Sequence, residues 1–244
     1  MKKGLPKILN NICSNFVIIG LLVLVFCASF AFNDLSAVFS NGTEKVIYNG
    51  NKTINNVSLM INVYTGNEYI EPILNVLDEY GVKITFFVGG CWVAKNEELF
   101  SKIVMAGHEI GNHGYFHKDH ANLNYDANYN EILVTHKLVK QLTGVEMKLF
   151  APPSGSFSST TLAVASELGY STIMWSKDTI DWRDKDENLV YSRATKNISN
   201  GDLILMHPTQ HTLNALGRVL NYFKSKNFNV VTVGENINFH SEGS

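Results

Sequence analysis

Apolar positions follow three different patterns along this chain. From Phe16 to Phe32 they form one uncharged run, "FVIIGLLVLVFCASFAF". Residues 33–56 are polar, with Gly42, Gly50 and several asparagines. From Val57 onward, short apolar runs alternate with amphipathic stretches. The runs are "VSLMINVY", "KITFFVGG", "HEIGNH", "MKLFAPP", "YSTIMWS", "GDLILMH" and "FNVVTVGE". They are rich in β-branched and aromatic residues and bounded by turn signals, which predicts seven strands. Between them, helical spacing predicts helices over 70–80, 97–106, 127–143, 160–168, 189–198 and 213–226. Ile73, Leu74, Leu77 and Tyr80 share one face of the first. Gly81, Gly144 and Gly169 follow three of these helices, where a left-handed residue ends them. Strands alternating with helices predict an α/β domain with parallel strands, whose functional residues gather at the strands' C-terminal ends. The pattern does not settle whether the sheet closes.

The first run changes the picture of where this domain sits. Lys2, Lys3 and Lys7 precede it, giving the basic start and apolar middle of a secretory signal. Its length is close to the ~20 residues of a membrane span, which favours an uncleaved signal anchor. Ser29-Phe30-Ala31 offers the alternative, cleavage after Ala31 and secretion. Both place the remainder on the cell-wall side of the cytoplasmic membrane, with the lysines inside. The expected organisation is a cytoplasmic N-terminus over 1–15, an anchor over 16–32 and a linker over 33–56. The domain follows over 57–237, with a tail over 238–244. One short strand near Val46-Ile47-Tyr48 is expected within the linker.

Composition excludes several classes. A net charge of −2 offers nothing to a nucleic-acid backbone, so no nucleic acid is expected as a partner. Cys13 and Cys27 lie in the N-terminal segment, leaving Cys91 unpaired in the domain, which excludes a disulfide framework. No Cys-x-x-Cys pair is present for a zinc ribbon. No G-x-S-x-G elbow supports a serine hydrolase. A monomer is expected. Half of the eight histidines, however, crowd into "HEIGNHGYFHKDH": His108, His113, His117 and His120. Such crowding points to a metal. The H-x-x-x-H spacing of His113 and His117 suits a helical face, and Gly114 between them suits a loop at a strand end equally well.

Polar phrases end five of the runs in order: "MINVYTGNEY", "NHGYFH", "FAPPSG", "KDTIDW" and "LMHP". This ordered set resembles the polysaccharide deacetylases of carbohydrate esterase family four, the NodB-homology domain. It looks closest to the sporulation-associated branch, on its "GNEY" phrase. The resemblance covers 57–237 and implies a distorted (β/α) barrel of about seven parallel strands. It implies removal of N-acetyl or O-acetyl groups from chitin-like or peptidoglycan sugars. It also implies a divalent metal, usually zinc, that polarises the amide and activates water. By the same resemblance His113 and His117 are metal ligands and His207, in Leu205-x-His207, is the proton donor. Asp181 orients His207 and fixes its tautomer, and Trp182 lines the groove with Leu205 and Pro153. Ser154 stands where a backbone N–H helps hold the oxyanion. Asp178 reads as a loop or helix-start residue, and His108 and His120 as structural or rim residues.

Two motifs depart from the family. Its Thr-Phe-Asp-Asp-Gly appears here as Met60-Ile61-Asn62-Val63-Tyr64, placing the base at Asn62 and the metal aspartate at Val63. No carboxylate lies between Met60 and Gly66. An amide is not a base, although its oxygen can ligate metal. Glu68 is the nearest acid and a substitute base in reach of sequence reasoning, against a plainer role in a helix's first turn. Ala151 replaces an arginine that pairs with the base aspartate. Losing both charges together is coherent, because either alone would be buried without its partner. The resulting expectation is a membrane-anchored, metal-dependent N-deacetylase of a cell-wall or chitin-like polysaccharide, with weakly bound zinc. The rival is a catalytically silent module of the same fold that binds glycan or metal in the wall or spore coat.

Overall fold

A computed structural model describes residues 46–238, all within the unit spanning Glu44–Ser244. The predicted anchor over 16–32 and most of the tail lie outside the described residues. Among the described residues no helix is long and apolar enough to cross a membrane.

The longest strand, β2 (Asn56–Val63), shows why its sequence is a continuous apolar run. All eight of its residues are buried, so both faces meet core. Val57, Leu59, Ile61 and Val63 face an outer core shared with helices. Met60 joins an inner core with Leu149, Ala151, Leu203 and Leu205. Further strands are β1 (Val46–Ile47), β3 (Thr85–Val88), β4 (Glu109–Asn112), β5 (Leu149–Phe150) and β6 (Ser171–Ile173). They are followed by β7 (Lys177–Asp178), β8 (Leu203–Met206) and β9 (Asn229–Val230). Their order is β1-β6-β5-β4-β3-β2-β8-β7, with β9 paired to β2, and every strand pairing is parallel. This is the distorted (β/α) barrel expected; among the described residues its sheet is open, with nine strands in place of about seven.

The helices are α1 (Asn67–Glu79), α2 (Gly90–Lys95), α3 (Glu97–Met105), α4 (Tyr125–Thr143) and α5 (Ser159–Glu167). After them come α6 (Asp181–Asp184), α7 (Glu187–Thr195), α8 (Gln210–Ser225) and α9 (Val233–Asn238). All six predicted helices are present, and four of them, α4, α5, α7 and α8, start at side-chain caps. Asn124 accepts from the Ala127 N–H at 2.9 Å and opens α4. Ser158 and Thr161 form a capping box on α5.

Two expectations are corrected. Residues 46–56, expected as linker, are folded onto the domain: β1, at the short strand expected near Val46-Ile47-Tyr48, pairs with β6, and the following turn is stitched to the domain. The Gly50 N–H donates to the Gly201 carbonyl at 2.7 Å. The last predicted strand is half strand and half helix. Thr232 and Glu235 cap each other's backbone N–H at 3.2 and 2.9 Å, which turns "TVGE" into the start of α9. Local β propensity yields there to a capping box.

Candidate active site

The strand ends named from sequence converge on one cleft of about 530 Å³. Asn62, His113, His117, Ser154, Trp182, Leu205 and His207 all line it. Tyr64, Thr65, Trp175 and Asp178 complete the wall.

His113 and His117 sit on the loop after β4, so the open choice between helix and loop resolves to loop. Gly114 takes φ 69° and His117 φ 55°, left-handed values that no helix accommodates. The loop is held from beneath by Glu131 of α4, whose Oε2 accepts from the Tyr115 and Phe116 N–H groups at 2.8 and 2.7 Å. Lys118 pairs with the same carboxylate at 3.2 Å. Sequence reasoning missed Glu131, since a carboxylate on a helix reads as solvent-facing. His113 is 1% exposed. Its Nδ1–H donates to the Ala151 carbonyl at 2.7 Å, leaving Nε2 for the cleft. Burial, with His117 beside it, holds its pKa down to about 3. Burial also lowers the pKa of His117, whose ring lies 5.1 Å from that of His113 and 5.0 Å from that of Tyr64. Both imidazoles are neutral at pH 7.

His207 follows β8, and Asp181 begins α6 just after β7. Asp181 is 1% exposed. The Nδ1–H of His207 donates to its Oδ1 at 2.8 Å, and the His207 backbone N–H to its Oδ2 at 2.7 Å. The Trp182 N–H and the Thr212 hydroxyl add two further donors. Burial alone pushes this carboxyl's pKa up, but the His207 and Thr212 bonds outweigh it and leave the value lowered. The acid end of the site is therefore complete, with His207 Nε2 left for the cleft. Trp182, 58% exposed, stands at its rim.

The β2 end is different. Asn62 is 5% exposed, and its Oδ1 is buried without a hydrogen-bond partner. Val63 is fully buried on the opposite face, in the outer core. Ala151 is fully buried and neutral. Glu68, the substitute base considered from sequence, is exposed on the first turn of α1. It lines a neighbouring depression with Cys91 and Lys95 and not this cleft. The carboxylate that does line the cleft is Asp178, read from sequence as a loop residue. Pairing of β7 with β8 sets it opposite Leu205. Gly66, in "GNEY", takes φ 81°, and a Cβ there would lie 2.0 Å from the Pro208 carbonyl oxygen. Glycine thus lets the loop after β2 close against the residue following His207. Pro153 is buried beside the histidine loop, and Ser154 takes φ 55° at the cleft wall. His108 and His120 are structural, as expected. The first accepts from the Ile84 N–H at 3.2 Å, and the second bonds Asn128 at 2.7 Å.

The donor set does not fit a tightly held divalent metal. Two neutral imidazoles and an unpartnered amide oxygen carry no negative charge to offset a dication. Among the described residues no cluster of three His, Cys, Asp or Glu side chains could hold a metal ion.

The profile of the polysaccharide deacetylase family matches residues 49–173. The chain is 41% identical over 189 residues to the uncharacterized protein YlxY of Bacillus subtilis, covering 78% of this chain and 59% of YlxY. It is 32% identical over 171 residues to a peptidoglycan-N-acetylglucosamine deacetylase of Bacillus cereus, covering 68% and 62% of the two chains. It thus spans about three fifths of the length of both relatives. Among solved structures, a Bacillus anthracis pseudoenzyme of carbohydrate esterase family four superposes with a TM-score of 0.78. Identity is 35%, and the match covers 80% of this chain and 70% of that one. A mutant of that pseudoenzyme, described as having restored enzymatic activity, superposes equally well at 34% identity, covering 80% and 72% of the two chains. With the open barrel, the paired histidines and the Asp181–His207 couple in place, the chain belongs to the polysaccharide deacetylase family.

Proposed function

We propose that this chain is a glycan-binding, hydrolytically silent member of its family. Its cleft takes an amino-sugar polysaccharide of the cell wall, peptidoglycan or chitin-like. It works on the outer side of the cytoplasmic membrane, held there by the apolar segment 16–32. One observation carries the reading. The acid half of the site is fully bonded, while the position of the general base holds Asn62, an amide with no useful basicity. Trp175, Trp182 and Tyr64 give the cleft the aromatic surface a sugar ring packs against. Zinc would rest on His113 and His117 alone, so a mild chelator should strip it and His113→Ala should abolish its binding.

The test uses the full-length chain in detergent. N-acetylchitotetraose is titrated by calorimetry, and acetate release is followed with added zinc or cobalt. Binding without acetate above the blank supports the reading. Sustained turnover by the parent chain overturns it. A second reading, a working N-deacetylase, rests on Asp178, the carboxylate that does line the cleft. Turnover that disappears in Asp178→Asn would establish that reading instead.

A further inference from the structure

Behind the histidine loop, a line of hydrogen bonds runs from Gly114 to the surface. The Gly114 N–H donates to Asn112 Oδ1 at 2.9 Å. A backbone N–H can only donate, so the other end of that amide is its NH2 group. This donates to the Ile132 carbonyl at 2.8 Å and to the Tyr170 hydroxyl oxygen at 3.2 Å. Tyr170 therefore directs its own hydrogen at His136 Nδ1, 2.6 Å away. That nitrogen must present a lone pair, so the ring carries its hydrogen on Nε2, which donates to Glu146 Oε2 at 3.1 Å. Asn112 is fully buried and Tyr170 nearly so, whereas the His136 side chain keeps 19% of its surface exposed. A single neutral tautomer of His136 satisfies every donor along the line.

A proton added to His136 can go only to Nδ1, where the Tyr170 hydrogen already points. The Tyr170 oxygen would then accept from both His136 and Asn112, and its own hydrogen would be buried without an acceptor. Tyr170 cannot yield by ionising, because burial pushes its pKa up to about 12. On the other side of the ring stands Glu146, kept charged by Lys140, and its carboxylate favours the imidazolium. The two neighbours of His136 thus pull in opposite directions. Charged residues on the elements packed against α4 are engaged elsewhere. Glu167 of α5 accepts from Tyr125 at 2.6 Å, Glu109 of β4 accepts from Thr85 at 2.6 Å, and Lys95 of α2 lines the depression beside Glu68. We infer that His136 is a proton-operated switch on the histidine loop. Neutral His136 keeps Tyr170, Asn112 and the Gly114 N–H in line. Protonated His136 breaks the line at Tyr170 and weakens the hold of Asn112 on the loop that carries His113 and His117. Asn112 keeps its bond to Ile132, so the loop loosens without unfolding. The switch goes beyond the glycan-binding reading and does not depend on what the cleft binds.

The test is magnetic resonance on the full-length chain in detergent, labelled at histidine and glycine, between about pH 8 and pH 5, the range in which histidine changes charge. At the alkaline end the His136 ring should show the Nε2–H tautomer. On acidification the Gly114 amide signal should move with the midpoint of the His136 ring, and its protection from hydrogen exchange should fall about tenfold, the scale of one net hydrogen bond. His136→Asn sets an oxygen near the place of Nδ1 and cannot titrate, so Gly114 should stay protected throughout. In Tyr170→Phe the ring should still titrate and Gly114 should no longer follow it. An Nδ1–H tautomer in the parent overturns the proposal. So does a His136 ring that stays neutral across the range, or one that titrates while Gly114 stays unmoved. A Gly114 step that persists in His136→Asn overturns it as well, because another histidine would then be its source. The parent measurements decide the matter alone if either variant fails to fold.

Discussion

At the β8 corner of the cleft, Asp181 engages both carboxylate oxygens with four donors, two of them from His207. At the β2 corner, Asn62 leaves its Oδ1 unpartnered, and Ala151 contributes only its backbone. The first corner retains a complete ionic network. The second carries no charged side chain at either Asn62 or Ala151, and it is structurally quiet because no lone charge is buried there. A site of this kind comes apart in coherent pieces: whatever is bonded together is kept or lost together.

The largest expected effect comes from putting back half of the missing pair. Ala151→Arg places an unpaired cation in a fully buried position and should cost about 3 kcal/mol or more in chemical unfolding. Asn62→Asp/Ala151→Arg should recover most of that loss. A stable single variant would mean that this corner already holds a counter-charge, and the contrast between corners would collapse.

Next comes the chemistry. The double variant should release acetate from N-acetylchitotetraose about 10²-fold faster than the parent, with zinc or cobalt added, because general-base catalysis contributes at least that much. Asn62→Asp alone should gain less, lacking its cation. A parent as fast as the double variant would locate the base elsewhere, at Asp178 first.

The complete corner is tested by removing its charge. Asp181→Asn should destabilise the domain by about 2 kcal/mol, since several donors lose a charged acceptor at once. The pH dependence follows from the direction of the shift. The folded carboxyl sits below its ordinary value of 3.8, so its contribution is present above that pH. It is lost as pH falls from there through the lower folded value. Acid unfolding of the parent should show this loss, and Asp181→Asn should show less of it. The smallest effect belongs to Glu68→Gln. Its side chain is exposed and outside the cleft, so stability should stay within about 0.5 kcal/mol and glycan titration should be unchanged.

What could be read from sequence depended on how local each signal was. The β2 run, buried on both faces, and the six long helices announced themselves by length and period. β7 is two residues long, too short for any periodicity, and exists through its pairing with β8. Asp178 reaches the cleft only through the register of β7 against β8, so its own neighbours in sequence gave no sign. Glu131 holds the histidine loop across a distance that helix periodicity does not encode. The Asp181–His207 couple, 26 residues apart, was legible only through resemblance to a family. The absence of a strand-end carboxylate, by contrast, was visible at once, because an absence of charge needs no tertiary information.

His113 is oriented by the carbonyl of residue 151, not by its side chain. Every amino acid has that carbonyl. The arginine position could therefore drift through any residue that fits without turning the imbalance onto the histidine, and the ring stays aimed while its catalytic neighbours change. On the silent reading proposed above, the change is reversible in an evolutionary sense. A descendant would need to regain charges, not rebuild a scaffold, and the route back to hydrolysis is short in substitutions.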